Sequence, residues 1–289
     1  MRRLFFPAAA AVAVAACIVG LGVARYGAAP ERPVNPEDGL VANGAYSSDY
    51  FNLSYRLPDG WAAGLAGPAP SQSGYYVLGT WVANDDLGGT VLVAAQDMFF
   101  AEKPADDVGA IAADFRQVIS SVDGMTIDRE PAAVRIGKRP GHRVDFSGVG
   151  LHRAMFALEI RCHVVTFNLT TRDPDLLAQL ARSLDDLDEA RKTLGLSVPD
   201  CVRDYAVADN IVHRVEPADA GAKTAAIPVR IVVGQDGSVK QVHVIRATAA
   251  QRRNIEEALR QWKFKPYMRQ GRAVDIETGV MIKFKQTDM

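Results

Sequence analysis

Three histidines fall in neighbouring predicted strands and are the side chains best suited to bind a metal ion: His142, His152 and His163. Imidazole is a common zinc ligand, but the intervals between these histidines match no short zinc-binding pattern. Histidines scattered over strands are usually surface residues or hydrogen-bonded core residues. We therefore expect no metal site in this chain.

Aspartates, serines and glycines elsewhere also lack the spacing that catalysis requires. The candidates are two neighbouring aspartate pairs, two Ser-Gly pairs and one glycine-bounded loop: Asp85-Asp86, Asp106-Asp107, Ser73-Gly74, Ser147-Gly148 and residues 234–237. Loop carboxylates adjacent in sequence need not face one site, and solvation explains them. The serines lack a nucleophile elbow, and the loop lacks the lysine and flanking elements of a phosphate loop. We expect no catalytic residue, no cofactor and no enzymatic activity.

Two cysteines, Cys162 and Cys201, lie outside the apolar N-terminal segment. In an oxidising compartment such a pair can form a disulfide. The bridge would close a loop of roughly 40 residues and contribute about 3–4 kcal/mol in the chain-entropy treatment. The alternative is two free thiols, and the disulfide is the favoured interpretation.

The N-terminus carries an uncharged stretch, residues 4–24, directly after Arg2 and Arg3. As a helix this stretch would be about 30 Å long, which matches the hydrocarbon core of a bilayer. The preceding arginines favour a cytoplasmic N-terminus by the positive-inside rule. The segment therefore predicts a single inner-membrane span, with the rest of the chain in the periplasm.

Two other interpretations of this segment remain open. Small residues at positions 22–24 also fit a cleaved signal peptide. Residues 14–17, which end at Cys17, resemble a lipobox, although an apolar stretch directly after an acylated cysteine would be unusual. Short motifs of this kind match often by chance, so the lipoprotein interpretation ranks third.

Composition indicates folded domains of opposite charge. The chain of 289 residues is 48% hydrophobic, which is ordinary for a globular protein. Residues 46–190 carry 12 Lys and Arg against 20 Asp and Glu, a net charge of −8, whereas residues 223–289 carry 13 against 6, a net charge of +7. Such segments could dock, offer a basic face to an anionic partner, or simply be two solvated surfaces. No nucleic-acid partner is expected.

The middle of the chain predicts an α+β domain. A polar linker without periodicity, residues 25–45, precedes it. Apolar residues at helical spacing predict helices at 108–122 and 174–187. Strands are predicted by β-branched and alternating runs at 75–82, 90–98, 132–136, 142–148, 151–158 and 162–170. An antiparallel sheet with helices is the fold class expected for residues 46–191.

The C-terminal quarter, residues 223–289, follows a connector at 192–222 and predicts a small ββαβ domain. Its first two strands flank a tight turn at 235–237. Thr248 and Gln251 form a capping box before a helix, and Gly279 could mark a bulge in the last strand, 274–285. The expected structural core comprises Ile255, Leu259, Trp262, Phe264 and Pro266.

This C-terminal segment closely resembles the C-terminal domain of TonB-type energy transducers. The resemblance covers residues 226–285 and rests mainly on EEALRQWKFKPYMRQGRAVDIET. It implies a periplasmic domain that binds a segment of an outer-membrane receptor by adding strands, and an anchor that contacts a membrane motor complex. Residues 46–190 more faintly resemble PsbP-like domains through YRLPDGW and LLAQLARSLDDL. Those domains are mostly accessory or binding modules.

The last strand is the candidate partner-binding edge, because exposed strand edges accept extended peptides. Its candidate residues are Val274, Ile276, Val280, Ile282 and Phe284. We thus expect a membrane-anchored periplasmic TonB-like protein that binds an envelope protein or outer-membrane receptor segment, with a role in energy-dependent transport. The alternative is a non-transducing binding or scaffold protein that carries the same domain.

The expected topology is directly testable. A reporter enzyme that is active only in the periplasm, fused after Met289, should be active because the arginines retain the N-terminus in the cytoplasm. Exchanging Arg2 and Arg3 for glutamate should reduce this activity. A fusion active only in the cytoplasm would contradict the predicted orientation.

Overall fold

The computed structural model describes residues 35–64, 69–83, 88–100, 107–187, 198–218 and 226–284. The chain from Pro33 onward forms one compact unit that mixes sheets with three described α-helices, which confirms the α+β class. The predicted membrane segment, residues 4–24, lies outside the described residues. None of the helices within the described ranges is long and apolar enough to cross a bilayer.

A small antiparallel sheet opens the described chain. Its strands run in the order β1-β2-β3: β1 Gly39–Ala42, β2 Ala45–Ser48 and β3 Leu53–Arg56. The first strand lies inside the segment predicted to be an irregular linker. Asn43 and Gly44 both have positive φ, at 52° and 70°, which permits a two-residue hairpin turn. Strand β1 has only four residues, which is too few for a periodic signal, so the sequence did not reveal it.

The middle of the chain forms a seven-stranded antiparallel sheet with two helices. Its elements are β4 Ala62–Ala63, β5 Tyr75–Val82, β6 Thr90–Asp97, α1 Val108–Ser120, β7 Met125–Ile136, β8 Arg139–Gly148, β9 Leu151–Ile160, β10 His163–Thr171 and α2 Pro174–Ser183. The spatial order is β4-β5-β6-β10-β9-β8-β7. Asp107 and Asp173 cap the two helices with their side chains. Helix α2 ends before the predicted residue 187, but Leu184 and Leu187 stay buried in the following turn, so apolar spacing alone did not reveal the end.

The C-terminal part forms a four-stranded sheet covered by one helix. Its elements are β11 Asp200–Cys201, β12 Ile211–His213, β13 Ile227–Val233, β14 Val239–Val244, α3 Ala249–Leu259, β15 Lys263–Phe264, β16 Met268–Arg269, β17 Arg272–Ala273 and β18 Ile276–Ile282, with a 3₁₀ turn at Ala208–Asn210. The sheet order is β11-β18-β13-β14, while β12 pairs with β15 and β16 with β17. Thr248 and Gln251 form the expected capping box.

The C-terminal core contains four of the five expected residues. Ile255, Leu259, Trp262 and Phe264 are at most 2% exposed. Pro266 is exposed, so its assignment to the core is wrong. The chain leaves the core after Phe264, where the amide of Lys265 donates to a carbonyl outside the sheet, and the proline serves to end the preceding structure.

Gly279 does not mark a bulge. The ladder between β13 and β18 keeps an unbroken register, with Arg230 opposite Gly279. A Cβ at Gly279 would lie 2.9 Å from the Cβ of Phe99 and 3.0 Å from the Cζ of Phe100. The glycine is therefore explained by the close approach of the middle part of the chain to β18.

Trp262 should contribute strongly to stability, because it is buried and its Nε1 donates to the carbonyl of Val215 at 2.7 Å. Trp262→Ala should lower the free energy of unfolding by about 3–5 kcal/mol. Trp262→Phe, which keeps most of the apolar contact but loses the hydrogen bond, should cost about 1–3 kcal/mol. Urea denaturation measures both, and an unchanged midpoint for Trp262→Ala would contradict this packing.

Candidate partner-binding site

Strand β18 has one fully paired edge and one partly covered edge. On one side it pairs with β13 along its whole length, from Ile276 to Ile282. On the other side it pairs in parallel with β11 over two residues, Ile276 and Glu277. In the described part of the chain, no strand pairs with β18 beyond Glu277 on this side.

Two backbone hydrogen bonds show which groups of β18 face the partly covered edge. The amide of Asp200 donates to the carbonyl of Asp275 at 2.9 Å, and the amide of Val202 donates to the carbonyl of Glu277 at 3.0 Å. Backbone groups alternate in direction along a strand, so those of Gly279 and Met281 face the same side. Within β18 these two residues form the part of this edge that no described strand pairs, hereafter the open part of the edge.

The side chains named from the sequence point elsewhere. Ile276, Val280 and Ile282 are buried in the C-terminal core, and Val274 and Phe284 pack partly against it. They position the strand but do not line its edge. The open edge belongs to Gly279 and Met281, and the Met281 side chain is 51% exposed. Hydrophobic spacing reveals the core face of a strand, but it does not show which of the strand's backbone groups lack a partner.

A disulfide fixes the short strand that covers the other half of the edge. Cys162 and Cys201 are bonded, with their Cα atoms 5.4 Å apart. Cys162 lies in the turn between β9 and β10 and is fully buried. The bond therefore ties β11 to the seven-stranded sheet.

Beside this edge lies a buried cluster of charges centred on Arg230 in β13. Its Nε donates to Oδ2 of Asp97 at 2.8 Å, and its Nη1 lies 3.0 Å from Oε1 of Glu277. All three side chains are at most 2% exposed. Asp97 ends β6 and Glu277 belongs to β18, so the guanidinium joins the two large sheets.

Glu277 has two further partners from the middle part of the chain. The hydroxyl of Tyr50 donates to Oε1 at 2.6 Å, and Nε of Arg161 donates to Oε2 at 3.1 Å. The Arg161 guanidinium also lies over the Tyr50 ring, 3.9 Å from its centroid. The carboxylate of the candidate binding strand is thus held by groups from three other segments.

Burial and neighbouring charges perturb the carboxyl groups in opposite directions. Burial raises the pKa of Asp97, although Arg230 opposes the rise. Burial alone would also raise the pKa of Glu277, but Arg230 and then Arg161 outweigh it, so this pKa falls below its usual value. Glu277 is therefore the firmly ionised partner of the arginines.

The expectation of scattered histidines agrees with the ladder register. His163 pairs with Ile160 at one end of β10, whereas His152 pairs with Thr171 at the other. Among the described residues, no group of three or more His, Cys, Asp and Glu side chains could hold a metal ion. His163 instead packs beside the charge cluster, with Nε2 3.8 Å from Oδ2 of Asp97. Burial, and next the charge of Arg230, lower the pKa of His163 well below its usual value.

A known protein family matches the C-terminal part of the chain. Residues 217–286 match the family of the Gram-negative bacterial TonB protein C-terminal domain. This chain carries a TonB-type C-terminal domain. The resemblance that the sequence predicts for this part of the chain is confirmed. No curated protein matches the chain.

Two solved structures are similar to part of the chain at low identity. The solution structure of cyanobacterial PsbP (CyanoP) from Synechocystis sp. PCC 6803 is 13% identical, with a TM-score of 0.39 over 56% of this chain and 99% of that one. The crystal structure of LpqN, involved in cell envelope biogenesis of Mycobacterium tuberculosis, is 14% identical, with a TM-score of 0.31 over 48% of this chain and 83% of that one. The PsbP-like resemblance is thus found again, but likeness at these TM-scores carries no information on activity.

Removing the central guanidinium should be costly. Arg230→Met would leave Asp97 and Glu277 buried without their shared partner, which typically costs about 3–5 kcal/mol. The matched control is Arg116→Met, whose pair with Glu130 is exposed, 43% and 65%, and is screened by solvent, so this variant should leave the denaturation midpoint nearly unchanged. Equal denaturation midpoints for the two variants would contradict a docking role for Arg230.

Stability should fall as the pH is lowered from 7 to 5. The folded-state pKa of His163 is depressed below its usual 6.5, so the unfolded chain takes up a proton that the folded chain does not. Each such group contributes a slope of at most about 1.4 kcal/mol per pH unit below that value. His243 adds to the effect, since burial and then Arg230 and Arg252 lower its pKa to about 3.

Asp97 has a raised pKa, so its protonation changes the unfolding free energy in the opposite direction as the pH falls. The variant His163→Gln therefore serves to separate the contribution of His163 from that of Asp97. The variant should have a shallower pH dependence of the unfolding free energy. His213→Gln, at an exposed histidine, serves as the control. The same slope in His163→Gln and the wild type would contradict the assignment.

Proposed function

We propose that this chain is a periplasmic envelope protein that binds an extended segment of a partner protein by strand addition to β18. The TonB-type C-terminal domain supports the class of partner: an envelope protein or an outer-membrane receptor segment. The observation that carries the proposal is the open edge at Gly279 and Met281, which no described strand pairs. Unpaired backbone groups there can bind a peptide without a preformed side-chain pocket.

The charge of this domain suggests the chemistry of the segment. Residues 223–289 have a net charge of +7, and Lys283 directly follows β18. Lysines at a strand edge oppose pairing between copies while attracting acidic or polar segments. Binding should therefore weaken with added salt, because exposed charges are screened.

Energy transduction and scaffolding remain separate versions of this function. In the first, the segment at residues 4–24 anchors the chain in the inner membrane and contacts a motor complex. It contains no histidine, which the anchors of TonB-type transducers usually carry, and a folded domain replaces their long spacer. In the second version the chain is a non-transducing binding or scaffold protein.

Docking of the two large sheets favours the scaffold version. Arg230, Asp97 and Glu277 join the C-terminal sheet to the middle sheet, and the disulfide adds a covalent link. A receptor-binding domain held in this way presents its edge in a fixed orientation. Co-purification of motor proteins with the full chain from solubilised envelopes would support transduction, and their absence would support the scaffold.

A photo-crosslinking amino acid tests the binding edge. Placed at Met281 in the full chain, it should form an adduct with an envelope protein that mass spectrometry identifies. The matched control position is Val149, which is 87% exposed in the turn between β8 and β9. Both positions are solvent-accessible, so only a specific contact distinguishes them.

Proline at Met281 supplies the second arm of this test. Its outward amide would be lost while the ladder to β13 is kept, so the adduct formed from a neighbouring edge position, Lys283, should decrease. Strand addition at β18 would be contradicted if Val149 gave the same adducts as Met281. It would also be contradicted if proline at Met281 left the adduct from Lys283 unchanged.

A further inference from the structure

The edge of β18 that the proposed function uses is half occupied by the chain itself. We propose that residues 200–203, hereafter the cap, act as a resident strand that blocks this edge, and that the Cys162–Cys201 disulfide holds the cap in place. The reduced protein is then the form that binds an extended partner. This inference rests on the proposed function and concerns the regulation of the same site.

The cap uses the hydrogen-bonding groups that a partner strand would need. Its amides at Asp200 and Val202 donate to the carbonyls of Asp275 and Glu277. The hydroxyl of Thr278 donates to the carbonyl of Arg203 at 3.3 Å and extends the contact along β18. A partner cannot pair with this half of the edge while the cap is bound.

The open half is too short for an ordinary partner strand. Within β18 it offers two outward-facing residues, Gly279 and Met281, whereas strands in proteins are usually about 5–6 residues long. Displacing the cap would extend the available edge back to Asp275. Cap displacement and partner binding are therefore coupled through competition for the same backbone groups.

The backbone pairing of the cap is short, although Val202 packs partly against the C-terminal core and Nη2 of Arg203 lies 3.6 Å from Sδ of Met98. Its paired strand is two residues long, and both Asp200 and Cys201 are only partly buried. The ion pair between Arg269 and Asp200, at 2.7 Å, is largely exposed and therefore contributes little to holding the cap. This short pairing is the part of the cap that a competing segment has to displace.

The disulfide changes this balance by tethering the cap. Cys162 is buried in the turn between β9 and β10, and its carbonyl accepts a hydrogen bond from Nη2 of Arg230. The anchor point is thus fixed by the same charge cluster that docks the two sheets. A short covalent tether gives the cap a high effective concentration at β18, which a free segment must overcome.

A dithiol reductant is the co-reactant that would release the cap. Its thiolate attacks the partly exposed Cys201 sulfur, Cys162 leaves as a thiolate and is protonated, and the second thiol of the reductant resolves the mixed disulfide. The protein gains two thiols and the reductant becomes a cyclic disulfide. Two electrons pass from the dithiol to the protein.

Amide exchange on the full chain tests the first half of the proposal. In the oxidised protein the amides of Asp200 and Val202 should be protected. Reduction by dithiothreitol, or the double variant Cys162→Ser/Cys201→Ser, should speed their exchange at least about fivefold, whereas amides within β13 should remain protected. Unchanged exchange at Asp200 and Val202 would overturn the proposal.

A peptide copy of the cap tests the competition. The probe is a synthetic peptide of residues 198–205 with Ser in place of Cys201. Its affinity should rise about 5–150-fold, a typical range for coupled sites, between the oxidised wild type and the double serine variant. Val202→Pro, which removes one cap hydrogen bond while the disulfide stays intact, should also raise the affinity, and by more than Val202→Ala, which keeps that hydrogen bond. The proposal would be overturned if the peptide bound the oxidised wild type, the double serine variant and Val202→Pro with equal affinity.

The photo-adduct at Met281 separates this proposal from the proposed function. Equal adduct formation in the oxidised wild type and in the double serine variant would contradict the blocking role of the cap. It would still support a partner-binding site at β18. The opposite result is peptide binding that depends on the disulfide, with no adduct from Met281 in either protein. It would support the blocking role of the cap and contradict the proposed partner-binding site.

Discussion

The buried guanidinium of Arg230 is the constraint on which the arrangement of the molecule depends. It lies between Asp97 at the end of β6 and Glu277 in β18, and neither carboxylate has access to solvent. Charges removed from water must be paired, because their desolvation costs several kcal/mol each. The seven-stranded sheet and the C-terminal sheet therefore have to meet at this point, and β18 acquires a fixed position relative to the middle of the chain.

Several features near the candidate edge follow from that docking. Glu277 faces Tyr50 and Arg161, and two residues later the strand needs a glycine because Phe99 and Phe100 approach it closely. The same side of the molecule holds the disulfide that brings β11 to β18. The opposite face of β18 carries its apolar side chains into the C-terminal core. A single strand thus serves the domain core, the docking interface and the proposed binding edge.

Local patterns predicted the elements of the fold well. The capping box at Thr248 and Gln251, the hairpin before β14 and the helix α3 all depend on residues close in sequence. The docking of the two sheets was only one of three alternatives offered by the opposite charges. In the sequence, Arg230 is a single arginine within a run of valines and isoleucines. That pattern is also compatible with a solvent-exposed strand face. Only a contact across more than 130 residues of sequence reveals that it is buried.

The errors share the same physical origin. Gly279 suggested a bulge because local rules associate strand glycines with irregular pairing, but a distant phenylalanine pair accounts for it. Pro266 was placed in the core because it ends a run of buried aromatics, yet the chain turns outward there. The edge residues Gly279 and Met281 were missed because hydrophobic spacing identifies the buried side of a strand and says nothing about which backbone groups remain unpaired.

Amide exchange of the full chain, alone and bound to the partner identified through Met281, tests the central claim most directly. Strand addition to β18 predicts that Gly279 and Met281 gain protection on binding, because their amides face the open edge. The amides of β7, at the far edge of the seven-stranded sheet, should not change. Protection that appears on the seven-stranded sheet alone, with β18 unchanged, would contradict the account and place the binding site in the middle of the chain.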